Sequence, residues 1–308
     1  MASRLVIILI LLGMVFSFNA RYGGELYHDG KNARNSALGG LSVSFEDGCN
    51  PVLLKNENTP SIHFSHKNKF GGLAQVAILS YLYIGRKYPL YIGLTNRSVD
   101  NIPITLSACD ISTLNCNYSE IDYFSQQEIG IQLSTIRFWG PYTLGFNLKP
   151  SFIGLAEFGK GYGFSGDLAV MLQSSDDLAI TLQLDDIMGL KYWDSGTLET
   201  ISPLLTAGIY FQGSKLRLGI ETGTRIESNT FLHYRVGFEY IQQEQLYFRI
   251  GTSHYNQFTA GFGIRIPLID FSYAYLYPYT GSPFDESHII SAGINLGAVE
   301  SIKGKITP

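Results

Sequence analysis

Eight charged side chains in the C-terminal half share one phase of an alternating sequence: Arg217, Glu221, Arg225, Arg235, Glu239, Arg249, Arg265 and Asp270. Glu128, Gln132, Asp167, Gln183 and Asp185 fall the same way earlier in the chain. The chemistry open to such a set is ion pairing between neighbouring strands. It would serve as a polar passage, as a docking surface for another segment, or as a ladder that holds a sheet shut. The six histidines add no catalytic pattern. His63 and His66 are three apart in a strand-like run, so they face opposite sides and argue against a shared metal site. His233, His254 and His288 accompany no nucleophile motif such as GxSxG. No catalytic residue, metal ligand or cofactor is expected, and the chain does not read as an enzyme. Cys49, Cys109 and Cys116 form no CxxC pair and no zinc spacing. Under oxidising conditions Cys109 and Cys116 either close a small loop or stay free.

The elements that must position these side chains are strands. In 231–241 the even positions read Leu232, Tyr234, Val236, Phe238 and Tyr240, and the odd ones His233, Arg235, Gly237 and Glu239. The same alternation runs through Leu246, Phe248 and Ile250, then Phe258, Ala260, Phe262 and Ile264, then Phe271, Tyr273, Tyr275 and Tyr277, then Ile290, Ala292, Ile294 and Leu296. Period two marks a strand with unlike faces. Five such segments across 231–297, with short polar breaks, describe an antiparallel meander. An apolar, aromatic face opposite a face of charges and glycines is the pattern of a transmembrane β-barrel with a polar lumen. A soluble sandwich or lipocalin-like barrel would alternate too, so leader, segment length and composition must decide.

Residues 1–20 read as a secretory signal peptide: Arg4, an apolar run over 5–16, and Ser17 or Ala20 as small residues for cleavage. The 308 residues carry 22 Lys+Arg against 26 Asp+Glu, and only 16% are charged, where a soluble domain averages about 25%. Tyr 20, Phe 19 and Gly 33 are high. Past the leader no run of about 20 apolar residues exists, which excludes a helical membrane protein and suits a barrel. There is no basic excess for nucleic acid.

Fourteen strand candidates follow: 60–67, 72–84, 89–96, 127–138, 142–158, 161–173, 177–186, 202–212, 215–225, 230–242, 245–254, 257–266, 268–279 and 287–297. An even count puts both chain ends on one side. Tight connections fall at 159–161, 174–177 and 213–214, and longer ones at 97–126, 187–201 and 280–286. The chain thus divides into a leader (1–20), an N-terminal segment (21–59), a barrel (60–297) and a C-terminal tail (298–308). The N-terminal segment is rich in glycine, yet Leu38, Leu41, Val43, Phe45, Val52, Leu53 and Leu54 need burial. It is expected to fold into or against the lumen.

Three blocks carry a family resemblance. The first is Ala33-Arg34 through Gly39-Gly40, then Glu46-Asp47 and Asn50-Pro51. The second is the stretch from Ile201 to Tyr210 with Pro203. The third is the order Tyr234-Arg235, Leu246 to Gly251, Thr259 to Ile264, Asp270 to Tyr275 and His288 to Gly293. The chain resembles the PorV/PorQ group of outer-membrane proteins within the wider FadL-like superfamily. Only Gly48 and Cys49 part the acidic pair from Asn50-Pro51, a shorter gap than the family's, and no terminal aromatic strand closes the chain. The resemblance implies a fourteen-stranded barrel in the bacterial outer membrane, in contact with its lipid. Its N-terminal segment would plug or line the lumen, with Gly39, Gly40, Glu46, Asp47, Asn50 and Pro51 as the plug-like motif. Two roles go with it: handling exported proteins or secretion components of the type IX kind, or uptake of hydrophobic small molecules.

Overall fold

The computed structural model describes residues 25–28, 32–42, 50–56, 58–85, 88–104, 109–110, 115–116, 121–226, 232–254, 256–280, 282 and 285–299. The leader, Glu46, Asp47, Cys49 and the end of the tail lie outside them. Among the described residues, fourteen antiparallel strands close on themselves. They are β1 (Ser61–Lys69), β2 (Ala74–Ile84), β3 (Pro89–Ile104), β4 (Asp122–Trp139), β5 (Tyr142–Gly154), β6 (Lys160–Gln173) and β7 (Leu178–Trp193). Then come β8 (Leu204–Gln212), β9 (Leu216–Arg225), β10 (Leu232–Gln242), β11 (Leu246–Ser253), β12 (Asn256–Arg265), β13 (Ile269–Pro278) and β14 (Ser287–Asn295). Each strand pairs with its sequence neighbour, and β1 pairs with β14, Ser61 opposite Asn295, so no edge is left. Closure is what a sheet with an apolar exterior requires, because an unpaired edge cannot be hydrated in lipid.

The alternation sorts cleanly. Phe64, Leu79, Leu94, Ile131, Ile220, Phe248, Ile250 and Phe262 point outward and are exposed. Ser65, Thr95, Gln132, Asn147, Glu221, Glu239, Arg249 and Thr259 point inward and are buried. Such a continuous apolar exterior belongs in hydrocarbon, not water.

The wall has two heights. Strands β3 to β7 have 16, 18, 13, 14 and 16 residues, whereas β8 to β14 have 8 to 11. Connections at one end are short turns, such as 140–141, 174–177 and 213–215; the longer ones, 105–121 and 194–203, lie at the other. Two of the expected loops are partly strand: β3 continues to Ile104, β4 starts at Asp122, and β7 continues to Trp193. The physical reason is the β-bulge, which breaks period two without ending a strand. Asn101 has φ 58 inside the register shift between Val99 and Ile102. Asp186 and Met188 have φ 57 and 56 where β6 and β7 slip at Gly166. In the other direction, β5 stops at Gly154, not 158, and Ala156–Phe158 form a 3-10 turn. A short strand, Leu198–Ile201, folds back on Gly189 to Tyr192 of β7. Cys109–Asp110 and Asn115–Cys116 form a small hairpin whose register sets Cys109 opposite Cys116; their side chains lie outside the described part.

Candidate functional site in the barrel lumen

The N-terminal residues lie against inward-facing side chains in three places. Helix α2 (Ala33–Ala37) begins at Asn32, whose side chain accepts a hydrogen bond from Asn35 N, the usual way an N-cap satisfies an orphan amide. Ala33 N donates to Ser291 Oγ of β14 at 2.7 Å. At the other end, Thr259 Oγ1 of β12 donates to Ala37 O at 2.8 Å and accepts from Gly39 N at 3.0 Å. Gly39 and Gly40 have φ 76 and 78, a conformation only glycine adopts cheaply. Gly251 of β11 receives them: a Cβ there would stand 2.3 Å from Gly39 N.

The charged face of the short strands converges on Glu239. Its carboxylate, fully buried, accepts from Arg34 Nε and Nη2 at 3.0 and 2.9 Å. It also accepts from Arg249 Nε at 2.7 Å and Arg217 Nη1 at 3.2 Å. Three guanidiniums around one carboxylate is an arrangement that charge-assisted, fork-shaped donors can satisfy without water. Nearby, Glu221 accepts from Ser42 N at 2.9 Å and pairs with Arg235 Nη1 at 3.4 Å. Arg235 Nη1 also donates to Ser42 Oγ at 2.8 Å. Toward the turn end, Tyr247 lies beneath both Arg249 and Arg265, each 5.3 Å from the ring. Asp270 stands 3.7 Å from His63 Nδ1. At the loop end, Arg225 Nη1 donates to Ser202 O at 2.9 Å.

A second cluster sits in the tall wall with the signs reversed. Lys149 Nζ of β5 is 2.6 Å from Asp167 Oδ1 and 2.8 Å from Asp186 Oδ1. Asp186 is able to face inward beside Asp185 because the bulge in β7 turns it. Ser165 Oγ donates to Asp186 Oδ1 at 2.9 Å, and Asn147 Nδ2 to Asp167 Oδ2 at 2.7 Å. Glu128 joins Arg97 at 2.6 Å and Lys191 at 3.4 Å.

Helix α1 (Glu25–His28) brings Tyr27 over this cluster, its ring 5.3 Å from Lys149 Nζ. Pro150 lacks a donor, and the β4–β5 ladder skips from Gly130 to Leu133. The Tyr27 hydroxyl fills that gap, donating between Pro150 O at 2.6 Å and Ile131 O at 3.1 Å. A Cβ at Gly130 would stand 2.3 Å from that hydroxyl. Burial holds the Tyr27 phenol well above its ordinary pKa, with Lys149 pulling the other way, so it remains a donor.

The turn end of the tall wall is different in kind. The 3-10 turn Pro51–Asn56 follows Asn50, whose side chain accepts from Val52 N at 3.1 Å. Val52 and Leu53 pack on Ala169, Met171, Ala179 and Tyr210, and Leu54 packs on Leu82, Tyr91 and Ile136. All of these wall residues face inward, so the lumen has an apolar floor. Face assignment in the second half suggested a mostly polar lumen; the apolar part comes from strands of the first half and β8.

His233 and His254 meet at the loop-side mouth. His233 Nδ1 and His254 Nε2 are in direct contact, with ring centroids 4.2 Å apart at 70°. Burial, then the neighbouring His233, pushes the His254 imidazole down to about 4. His63 bonds Ser61 Oγ at 3.0 Å, and His288 bonds the Tyr273 hydroxyl at 2.8 Å on the exterior.

Of the residues singled out in sequence, the structure brings Arg217, Glu239 and Arg249 together, and separately Glu221 and Arg235. It leaves Arg225, Arg265 and Asp270 toward the mouths. Glu46 and Asp47 fall outside the described residues. Sequence reasoning did not single out Tyr27, Lys149 or Asp186, and it named Arg34 only within the block Ala33 to Gly40. Lys149 was within reach, since it shares the inward phase of Gly145, Asn147 and Ser151; Asp186 was hidden by the bulge.

No family model matches the chain, and no curated protein matches it in sequence. Solved structures share its fold. The Ralstonia pickettii toluene transporter TbuX superposes with a TM-score of 0.64 at 12% identity, covering 87% of this chain and 99% of that one. The Pseudomonas putida toluene transporter TodX gives 0.61 at 12%, covering 86% and 97%. The CymD monoaromatic hydrocarbon channel gives 0.62 at 13%, covering 88% and 98%. The fourteen-stranded fold is therefore shared with these solved structures. At these identities the likeness is one of fold.

Proposed function

We propose that this protein is a non-enzymatic barrel of the bacterial outer membrane that passes hydrophobic small molecules, with residues 21–59 as its plug. The observation that carries the reading is the apolar floor: Leu82, Tyr91, Ile136, Met171 and Tyr210 line a part of the lumen now filled by Val52, Leu53 and Leu54. A polar pore has no use for such a surface, whereas an apolar solute gains about 25 cal/mol for each Å² it buries there. Displacing the 3-10 turn would open that surface toward the turn end. The shared fold with proteins named as toluene transporters and a monoaromatic hydrocarbon channel supports this reading. The test is uptake of a radiolabelled monoaromatic hydrocarbon by cells with and without the protein, and with Met171→Lys. Faster uptake with the native chain, reduced by Met171→Lys, is expected; equal uptake in all three sinks the proposal.

A second reading is the PorV/PorQ-like one, in which the barrel binds exported proteins or secretion components. It draws on the order of sequence blocks and on the raised wall, which exposes Tyr123, Tyr162, Tyr192 and Leu198 on its loop side. Crosslinking in native membranes tests it, and recovery of no exported or secretion protein at those positions removes it.

A further inference from the structure

We propose that β4, over Asp122 to Gln126 on the side facing away from β3, is a docking edge for an extended basic polypeptide segment, which adds to the sheet there as a further strand. The β3–β4 hairpin outgrows its neighbours at the loop end. Beyond Val99, β3 has no partner in β2, which begins at Ala74 opposite it. Beyond Gln127, β4 has no partner in β5, which ends at Gly154 opposite it. The two strands still pair with each other as far as Ile104 and Asp122. The result, among the described residues, is a two-stranded ribbon with two open edges, and the edges are not alike. The β3 edge is spoiled for pairing, because Asn101 bulges at φ 58 and Pro103 has no amide to donate. The β4 edge has neither bulge nor proline over 122–126. Such an edge offers the amides and carbonyls of alternate residues to any extended chain. The chain that follows β5 does not take the place. It turns on itself, Leu155 N to Gly159 O at 2.9 Å and Phe158 N to Leu155 O at 2.8 Å, and meets β4 through the rings of Phe158 and Phe124, 4.7 Å apart.

Charge selects the occupant. Beside the edge lies an open cleft of about 730 Å³, lined by Asp100, Asp122, Tyr123, Phe124, Ser125 and Glu157 among others. Three of these are carboxylates, and among the described residues none of the three is ion-paired and no lysine or arginine lines the cleft. Arg97, lower on β3, is held by Glu128 at 2.6 Å. A second copy of the same edge would set carboxylate against carboxylate, which like-charged cross-strand neighbours resist. A strand carrying Lys or Arg meets opposite charge instead, and the exposed rings of Tyr123 and Phe158 accept its apolar stems and cationic heads. Asp122 to Gln126 spans about 17 Å, so a short stretch of the partner suffices. The surface is independent of what crosses the lumen, and it commits to a partner chemistry that neither reading above names.

The experiment uses the full chain in an uncharged detergent and reads fluorescence anisotropy of labelled decapeptides. The probes are an alternating Lys–Val peptide, an alternating Glu–Val peptide, and the Lys–Val peptide N-methylated throughout, which keeps the charge and loses every backbone donor. The Lys–Val peptide is expected to bind, and the other two to bind about tenfold more weakly or worse. Asp122→Asn combined with Glu157→Gln should weaken the Lys–Val peptide by a similar factor, whereas Asp176→Asn, in a turn at the opposite end, keeps native affinity. Should the double variant fail to give a heat-modifiable barrel, the methylated and unmethylated peptides on the native chain decide. Equal binding of those two reduces the contact to charge alone and overturns the assignment. So does a native chain that binds none of the probes, or a folded double variant that binds as the native chain does.

Discussion

The two buried charge clusters are mirror images, and they treat the N-terminal segment differently. In the short wall, one carboxylate, Glu239, is ringed by three guanidiniums, and one of those, Arg34, arrives on the segment. In the tall wall, one ammonium, Lys149, is neutralised by Asp167 and Asp186 of the wall itself. The segment only lays the Tyr27 ring above it. The short wall is thus bound to the segment by an ion pair, and the tall wall by the Tyr27 hydroxyl and by apolar contact. A buried charge that loses its partner costs far more than the pair gained on forming, so the two halves should fail in different ways.

The largest effect is expected from Glu239→Gln, which leaves Arg34, Arg217 and Arg249 crowded without a carboxylate. It should lower stability by about 3–5 kcal/mol in urea unfolding from lipid vesicles, and should expose the segment to protease. Lys149→Met strands two aspartates and should cost about as much, yet leave protease cleavage of 25–42 unchanged. If both variants release the segment equally, the contrast between the walls is wrong. Gly251→Ala places a methyl on Gly39 and should cost about 1–3 kcal/mol by overpacking, again with cleavage of the segment and an intact barrel. Tyr27→Phe removes one hydroxyl from the gap beside Pro150 and should cost about 1 kcal/mol. The smallest effect concerns Cys109 and Cys116, whose backbones are in register. We expect the oxidised chain to weigh two hydrogens less than the reduced one, and Cys109→Ser to abolish that difference with little change in barrel stability.

Much of the wall was legible because lipid outside and polar groups inside enforce period two at nearly every strand. Glu239, Arg249 and Arg217 could be placed on one face for that reason. What alternation does not contain is distance across the lumen. Nothing local to Arg34 says that it reaches Glu239, 205 positions away. The bulges at Asn101 and Asp186 also misled the reading, since each turns the phase of a strand and looks like a loop. The apolar floor was hidden because Met171, Tyr210 and Ile136 look like ordinary apolar residues until their inward phase is counted strand by strand. His233 and His254 are 21 positions apart, and only the register of β10 and β11 unites them.

The bond from Ala33 N to Ser291 Oγ has a consequence for assembly. Ser291 lies on β14, the last strand, and its hydroxyl also meets Ser65 Oγ of β1, the first. The seam where the ring of strands shuts is thus met from inside by α2, which precedes every strand of the barrel. Synthesis delivers α2 before any strand and β14 after all the others. A helix waiting in the interior gives the final strand a template, so a chain without residues 25–42 should still form its internal hairpins but be slow to close the ring.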